Sequence, residues 1–264
     1  MSKVLIVGGG AAGMLASIFA ARNGNEVHVF EKNEKLGKKL FITGKGRCNI
    51  TNAGDMENLF ENVVSNRKFL YSSFYSYTNE DVISFFETLG VPTKIERGNR
   101  VFPVSDHSSD VIGALSGEMK RTGVKVHLYT KVSKILTENG RFSGLEFADG
   151  ACVQGDACVI ATGGFSYQTT GSNGDGYRFA EELGHTVTDI YPSLVPLAIE
   201  EEFVKELQGL SLKNVEAAIY DGKKKLYQDV GEMLFTHYGV SGPLILRGSS
   251  HIAMKAGEKK LKLV

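Results

Sequence analysis

The stretch that most constrains this chain is KVLIVGGGAAGMLASIFAARNGNEVHVFEK, residues 3 to 32. An apolar run at 4 to 7 reads as a buried strand, and Gly8-x-Gly10-x-x-Gly13 follows it as a turn. Residues 11 to 23 read as a helix, 26 to 30 as a second strand, and Glu31 stands eighteen residues after Gly13. Strand, glycine turn, helix and acid at this spacing form the dinucleotide-binding fingerprint. Gly8 permits the tight turn, Gly10 lets a pyrophosphate approach the backbone, and Gly13 lets the helix lie close to the strand. The N–H groups of the first helical turn, at Ala11 and Ala12, have no intrahelical partner and with the helix dipole attract phosphate. Glu31 is placed to accept the hydroxyls of an adenosine ribose. Two other readings compete. The apolar run behind Lys3, with Phe19-Ala20-Ala21, imitates a secretory leader, but the glycines and the acid-ended strand argue against that. A Rossmann-type unit that has lost its ligand is the other.

Thirty basic residues balance thirty acidic ones, so no long-range field draws the chain to nucleic acid or an anionic membrane. No stretch reads as a membrane span. Cys48, Cys152 and Cys158 are an odd, unpatterned set that suits a reducing cytoplasm, and without C-x-x-C there is neither a zinc ribbon nor a redox dithiol. No metal site is expected. A length of 264 residues accommodates one large domain or two ordinary ones.

Residues 33 to 54 are rich in Gly, Lys, Asn and Thr and keep no regular period. Within them Gly44-Lys45-Gly46-Arg47-Cys48-Asn49 suits backbone lying against a flat ring, with Arg47 or backbone N–H groups near developing negative charge; an ordinary basic loop is the alternative. Residues 58 to 89 read as two helices, the second capped by Asn79 and ended by Gly90. A hairpin closed by Gly98-Asn99 spans 96 to 105, a helix starts at Ser109 or Asp110, and a strand follows at 125 to 129. Residues 132 to 138, 142 to 147 and 151 to 153 alternate like a three-stranded meander. A buried strand at 156 to 161 runs into Thr162-Gly163-Gly164, at the strand end where ligands bind in parallel sheets. Asp175 then offers an N-cap for a helix at 176 to 183. Beyond 190, segments 194 to 199, 211 to 220, 223 to 228 and 232 to 236 read as strands, with a hairpin at Asp221-Gly222, a proline-initiated helix at 243 to 253 and a last strand at 259 to 264.

The run Leu36-Gly37-Lys38-Lys39 with Thr43-Gly44-Lys45-Gly46-Arg47-Cys48-Asn49-Ile50-Thr51-Asn52 resembles the signature of a bacterial family of NAD(P)/FAD-dependent oxidoreductases, the aminoacetone oxidase and bile-acid enone reductase type. Further blocks match in the family's order at Arg100 to Ser105, Ala161 to Gly164, Gly174-Asp175-Gly176 and Phe235 to Pro243, so the resemblance covers essentially the whole chain. It implies an α/β fold: a Rossmann-like FAD-binding domain with a parallel sheet and β-meander crossover over residues 1–190, including a helical segment at about 58–122. Residues 191–264 would begin an inserted, incomplete antiparallel β-domain, barrel-like and substrate-binding. It also implies FAD contacts at Gly8, Gly10, Ala11, Ala12, Gly13, Glu31, Lys32, Lys39, Thr43, Gly44, Gly46, Arg47, Cys48 and Asn49, at Val132 through the adenine, and at Ala161, Thr162, Gly163 and Gly164. The block around His237 and Tyr238 approaches the flavin in the family, which makes these two the candidates for proton donation or substrate holding. Cys48 is expected to pack near the flavin ring and not to act as a nucleophile, since no partner base is visible.

The function so implied is FAD-dependent hydride transfer to a small-molecule substrate in the cytoplasm, with reduction of a conjugated C=C bond placed ahead of amine oxidation. No second glycine fingerprint follows a strand, so NAD(P)H would be a transient donor. A non-catalytic FAD-binding protein, such as a sensor or RNA-associated scaffold, is the reading from another class, and an NAD-binding dehydrogenase a third. The family continues beyond the point where this sequence ends, so the sequence is expected to be a shortened form lacking a final flavin-contacting segment. Nothing in the sequence sets the oligomeric state.

Overall fold

Alternation along the first strand sets the layers of the N-terminal unit. In the computed structural model, which describes residues 1–254 and 260–264, β1 (Lys3–Val7) turns Val4 and Ile6 into one hydrophobic cluster and Leu5 and Val7 into another. Helix α1 (Ala11–Arg22) follows the glycine turn and buries Met14 and Ile18 in the first cluster. Strand β2 (Glu26–Phe30) pairs with β1 in parallel, Val4 opposite Val27 and Val7 opposite Phe30. The chain then passes through a short helix α2 (Lys38–Ile42) and a tight 3-10 turn (Thr43–Gly46) to β3 (Thr51–Asn52).

Where two helices were expected, the segment is broken into α3 (Met56–Glu61), a 3-10 turn (Arg67–Leu70), α4 (Tyr71–Ser76) and α5 (Asn79–Thr88). Thr78, and not Asn79, caps α5. Its hydroxyl accepts from Asp81 N and the Asp81 carboxylate accepts from Thr78 N, a reciprocal capping box. Asn79 is the first helical residue, and its amide donates instead to the carbonyls of Asn52 and Gly54. Strands β4 (Thr93–Glu96) and β5 (Arg100–Pro103) form the expected hairpin around Gly98 and Asn99, and β3 adds to β5.

Helix α6 (Ser108–Arg121) leads to β6 (Lys125–His127), which pairs with β2 in parallel. Then β7 (Val132–Glu138), β8 (Arg141–Phe147) and β9 (Cys152–Gln154) make an antiparallel meander, and β10 (Ala157–Ile160) returns beside β1, again parallel. The central sheet therefore runs β10-β1-β2-β6. Helices α1 and α6 supply the core on one face; on the other lie the meander's Ile135 and Leu145 and Phe179 of α7 (Asp175–Glu182). A meander thus takes the place that a crossover helix would fill in a doubly wound sheet. Glu118 of α6 is buried between Arg121 and Arg22, whose guanidinium groups hold its carboxyl down at about 2 and tie α6 to α1.

The chain divides into two units, residues 1–62 with 67–187 and residues 63–66 with 188–264. In the second, β11 (Leu197–Ala198) and a short helix α8 (Phe203–Glu206) precede β12 (Ser211–Asp221), β13 (Lys224–Thr236), β14 (Gly239–Ser241), α9 (Pro243–Ile252) and β15 (Lys262–Leu263). They form an antiparallel sheet in the order β11-β14-β13-β12-β15. Residues 223 to 236, expected as two strands, are one, because β12 is long enough to keep pairing: Ala217 faces Asp229, Glu216 faces Val230 and Val215 faces Gly231. Only Leu197 and Ala198 of the expected 194 to 199 pair, and Lys259, expected to open the last strand, lies outside the described residues.

Candidate functional site

The first unit holds a cavity of about 860 Å³, of the size that takes a cofactor, and the glycine turn lines it. Gly8 has φ +108°, and a Cβ there would meet the carbonyl oxygen of Ala161 at 2.5 Å. At Gly13 a Cβ would lie 1.9 Å from the Gly8 oxygen, which is how the turn brings α1 against β1. Gly10 differs from both: nothing lies within 4 Å of its missing Cβ, and the open space is the cavity. Gly10 also caps α1 without a side-chain hydrogen bond, and the helix has no acidic residue in its first turn. The free N–H groups and the dipole of a twelve-residue helix are thus left facing a cavity, the arrangement that receives a phosphate.

Glu31 is buried beside the turn. Its Oε2 accepts from Gly9 N at 2.7 Å, and its Oε1 accepts from Asn33 N at 2.8 Å and Asn33 Nδ2 at 2.7 Å. A carboxylate accepts about four hydrogen bonds, so three protein donors leave it capacity for one more. The segment after Glu31 reaches across to residues 166–175. Asn33 Nδ2 donates to the Thr170 carbonyl at 3.2 Å, Lys32 Nζ to Asn173 at 2.7 Å and Asp175 at 2.6 Å, and Lys39 Nζ to Ser166 at 3.1 Å and Ser172 at 2.7 Å. Asp175, expected as an N-cap, is instead the first residue of α7 behind the left-handed Gly174, and its carboxylate takes Lys32. Among the described residues Lys39 has these two hydroxyls and no carboxylate as partners, and burial lowers its pKa below the usual lysine value. A partly desolvated cation with no counter-charge on a cavity wall is poised for an anionic ligand group.

The loop after α2 divides its residues between two tasks. Thr43, Cys48 and Asn49 line the cavity, whereas Gly44, Gly46 and Arg47 do not. Arg47 pairs with Glu96 and with Asp106 (Nε to Oδ1, 2.8 Å), and its guanidinium lies 4.2 Å from the centre of the Phe102 ring. The buried Cys48 has φ +59°, and burial pushes its thiol pKa up, away from the thiolate that nucleophilic chemistry needs.

Of the other residues singled out in the sequence, Gly8, Gly10, Ala11, Ala12, Glu31, Lys32, Lys39, Val132, Ala161, Thr162 and Gly163 line the cavity; Gly13 and Gly164 do not. His237 and Tyr238 lie in the second unit, at the turn between β13 and β14, exposed and packed edge to face with ring centres 4.7 Å apart. The cavity is lined by first-unit residues throughout. Asn33, Thr170, Gly171 and Ser172 line it as well, and sequence reasoning did not reach them. Four residues at positive φ between 163 and 174 (Gly163, Tyr167, Gly171 and Gly174) mark that stretch as shaped backbone. The glycines at 163, 164, 171 and 174 are the signal the sequence carries there.

With this geometry in hand, comparison with known proteins is specific. The model of a family described as HI0933-like protein Rossmann domain matches residues 2–250. The chain belongs to that family. The chain is 33% identical over 262 residues to the 3-dehydro-bile acid delta(4,6)-reductase of Clostridium scindens, covering 98% of this chain and 63% of that one. It is 30% identical over 247 residues to the ribosomal RNA dihydrouridine synthase of Escherichia coli, covering 94% and 60%. The chain therefore spans about three-fifths of the length of these curated relatives. Among solved structures, the open conformation of a flavocytochrome c3 fumarate reductase matches with a TM-score of 0.58 at 19% identity, covering 81% of this chain and 47% of that one; this likeness shows a shared fold. Family and fold agree with the resemblance read from the motifs.

Proposed function

We propose that this chain carries the FAD-binding part of a flavin-dependent oxidoreductase that reduces a C=C bond conjugated to a carbonyl, with NAD(P)H as a transient electron donor. The observation that carries this reading is the cavity itself: an uncapped helix N-terminus and Lys39, which has no carboxylate partner among the described residues, converge on one open volume beside Glu31. The donor set fits a dinucleotide, with N–H groups for phosphate, one remaining acceptor position on Glu31 for a hydroxyl, and a cation for a second anionic site. FAD, when bound, supplies the hydride chemistry. The chain's own part is to orient the cofactor and exclude water. Thr162 and Gly163 hold the carboxyl end of the sheet open to the ligand, Cys48 gives a neutral apolar contact, and Lys39 sets positive charge on the wall. His237 and Tyr238 are assigned proton donation or substrate holding.

Read as chemistry, the names of both relatives support the bond type: saturating a Δ4,6 dienone and saturating a uracil ring each add hydrogen across a C=C conjugated to a carbonyl. They differ in substrate class, and the second relative makes an RNA base a second reading beside a small molecule. A cytoplasmic location belongs to the same reading. The odd, unpatterned set of three cysteines supports it. Among the described residues no helix is long and apolar enough to cross a membrane.

The test is anaerobic. Protein loaded with FAD is expected to lose its flavin colour on mixing with NADH or NADPH and to recover it on adding a conjugated dienone or a uridine-containing RNA. Peroxide release with a small amine and no reoxidation by either acceptor would move the reading to an amine oxidase. Stable FAD binding with no reduction by any donor would make the protein non-catalytic.

A further inference from the structure

We infer that the outer side of the Thr43–Asn49 loop, with the tip of the β4–β5 hairpin, is a cationic rim that holds the phosphate backbone of a single-stranded RNA beside the cavity mouth. The inference rests on the RNA reading above and adds where the polymer is gripped. The overall balance of thirty basic and thirty acidic residues hides a local asymmetry: residues 33–47 and 94–106 contain eight basic side chains and three acidic ones. All three acids are consumed. Glu34 pairs with Lys38, Glu96 with Arg47, and Asp106 with Lys94 and Arg47. Among the described residues Lys35, Lys45, Arg97 and Arg100 have no carboxylate partner, and all four are exposed.

Contacts link Lys35, by way of Phe41, and Arg97 and Arg100, by way of Phe102, to the loop that carries Lys45. Lys35 Nζ lies 5.2 Å from the centre of the Phe41 ring, and the Phe41 carbonyl oxygen is 4.0 Å from where a Cβ of Gly46 would stand. On the other side of the loop crest, a Cβ on Gly44 would be 3.3 Å from the Phe102 ring, which carries Arg47 at 4.2 Å and Arg100 at 5.7 Å. Arg100 in turn donates to the Arg97 carbonyl at 3.0 Å. Gly44 and Lys45 are both left-handed, and they form an exposed crest between Thr43 and Asn49, which line the cavity. The Phe41 ring, 49% exposed on this same surface, offers a face on which a base can stack. Exposed cations interleaved with an aromatic and set beside two cavity-lining residues match a polyanion whose base enters the site. Phosphate contacts of this kind position the strand without reading its sequence.

Binding of a fluorescent single-stranded RNA to the FAD-loaded protein, followed by anisotropy at several salt concentrations, tests this. The triple variant K45E/R97E/R100E is expected to bind at least tenfold more weakly. The neutral triple K45Q/R97Q/R100Q is expected to reduce the slope of log K against log salt by about 2, since each phosphate contact on a single strand contributes about 0.7. A control pair on the meander, K134E/R141E, is expected to leave RNA affinity unchanged, and retention of FAD by all variants reports intact folding. The inference is overturned if the wild-type protein binds no RNA, if the rim variants bind as tightly as wild type, or if their only change is a raised KM for NADPH. The two ideas fail separately. RNA bound at the rim but never reduced defeats the RNA reading of the reaction, whereas reduction of a dienone without RNA binding leaves the flavin chemistry standing and defeats the rim.

Discussion

The two ends of the cavity are built by different means. At the glycine turn the contacts are made by backbone: Gly8, Gly10 and Gly13 lie close in sequence, Glu31 reaches Gly9 over a separation of 22 residues, and Gly8 packs on the Ala161 carbonyl. At the far side the wall is held by side chains that meet across the sequence, Lys39 to Ser172 over 133 residues and Lys32 to Asp175 over 143. The first end is backbone geometry fixed by the absence of side chains; the second is a set of charge-assisted hydrogen bonds. A steric defect at the first should be all-or-none, while a lost contact at the second should be graded.

The largest effect is expected from Gly13→Val. Its Cβ would fall on the Gly8 carbonyl, so α1 cannot dock on β1 as it does here. Purified variant should contain no FAD and melt well below wild type, by flavin-to-protein absorbance ratio and thermal circular dichroism; normal FAD content would refute the steric account. At the opposite end, Lys32→Met and Asp175→Asn should each weaken FAD binding by about tenfold. The double variant should be little worse than Lys32→Met alone, a coupling of about 1 kcal/mol, because the Lys32–Asp175 bond is lost in either single variant. Strict additivity in titration calorimetry would show that the pair does not act as a unit. The smallest effect is a pH dependence. Burial lowers the Lys39 pKa, so its cation is lost at a lower pH than an ordinary lysine's. The FAD dissociation constant should rise a few-fold as the pH climbs through that range, and the curve for Lys39→Met should be flatter. Parallel curves would remove Lys39 from the charge balance of the site.

The same contrast explains what the sequence makes legible. Strand β1, the turn, α1, β2 and the three strands of the meander are written in period-2 alternation and glycine spacing, and the structure places them within a residue or two. Residues whose partners are distant are not legible this way. Arg47 reads locally as a cation among glycines, yet its carboxylates are Glu96 and Asp106, 49 and 59 residues on. Asp175 reads as a helix cap and is the counter-ion of Lys32. Thr78 and Asn79 are equally good caps by type, and only the position of Asp81 three residues after Thr78 decides between them. The unbroken β13 is set by the length of its neighbour β12 and not by its own pattern.

The bonds from Lys32, Asn33 and Lys39 to the 166–175 stretch also bear on how the protein is made. A ribosome delivers the phosphate-receiving turn within the first few dozen residues, but the wall opposite does not exist until Asp175 has been synthesised. Until then the turn is an open shelf. Completion of the cavity wall during synthesis is therefore a late event, and a nascent chain arrested before this point is expected to bind FAD weakly even with its glycine fingerprint folded.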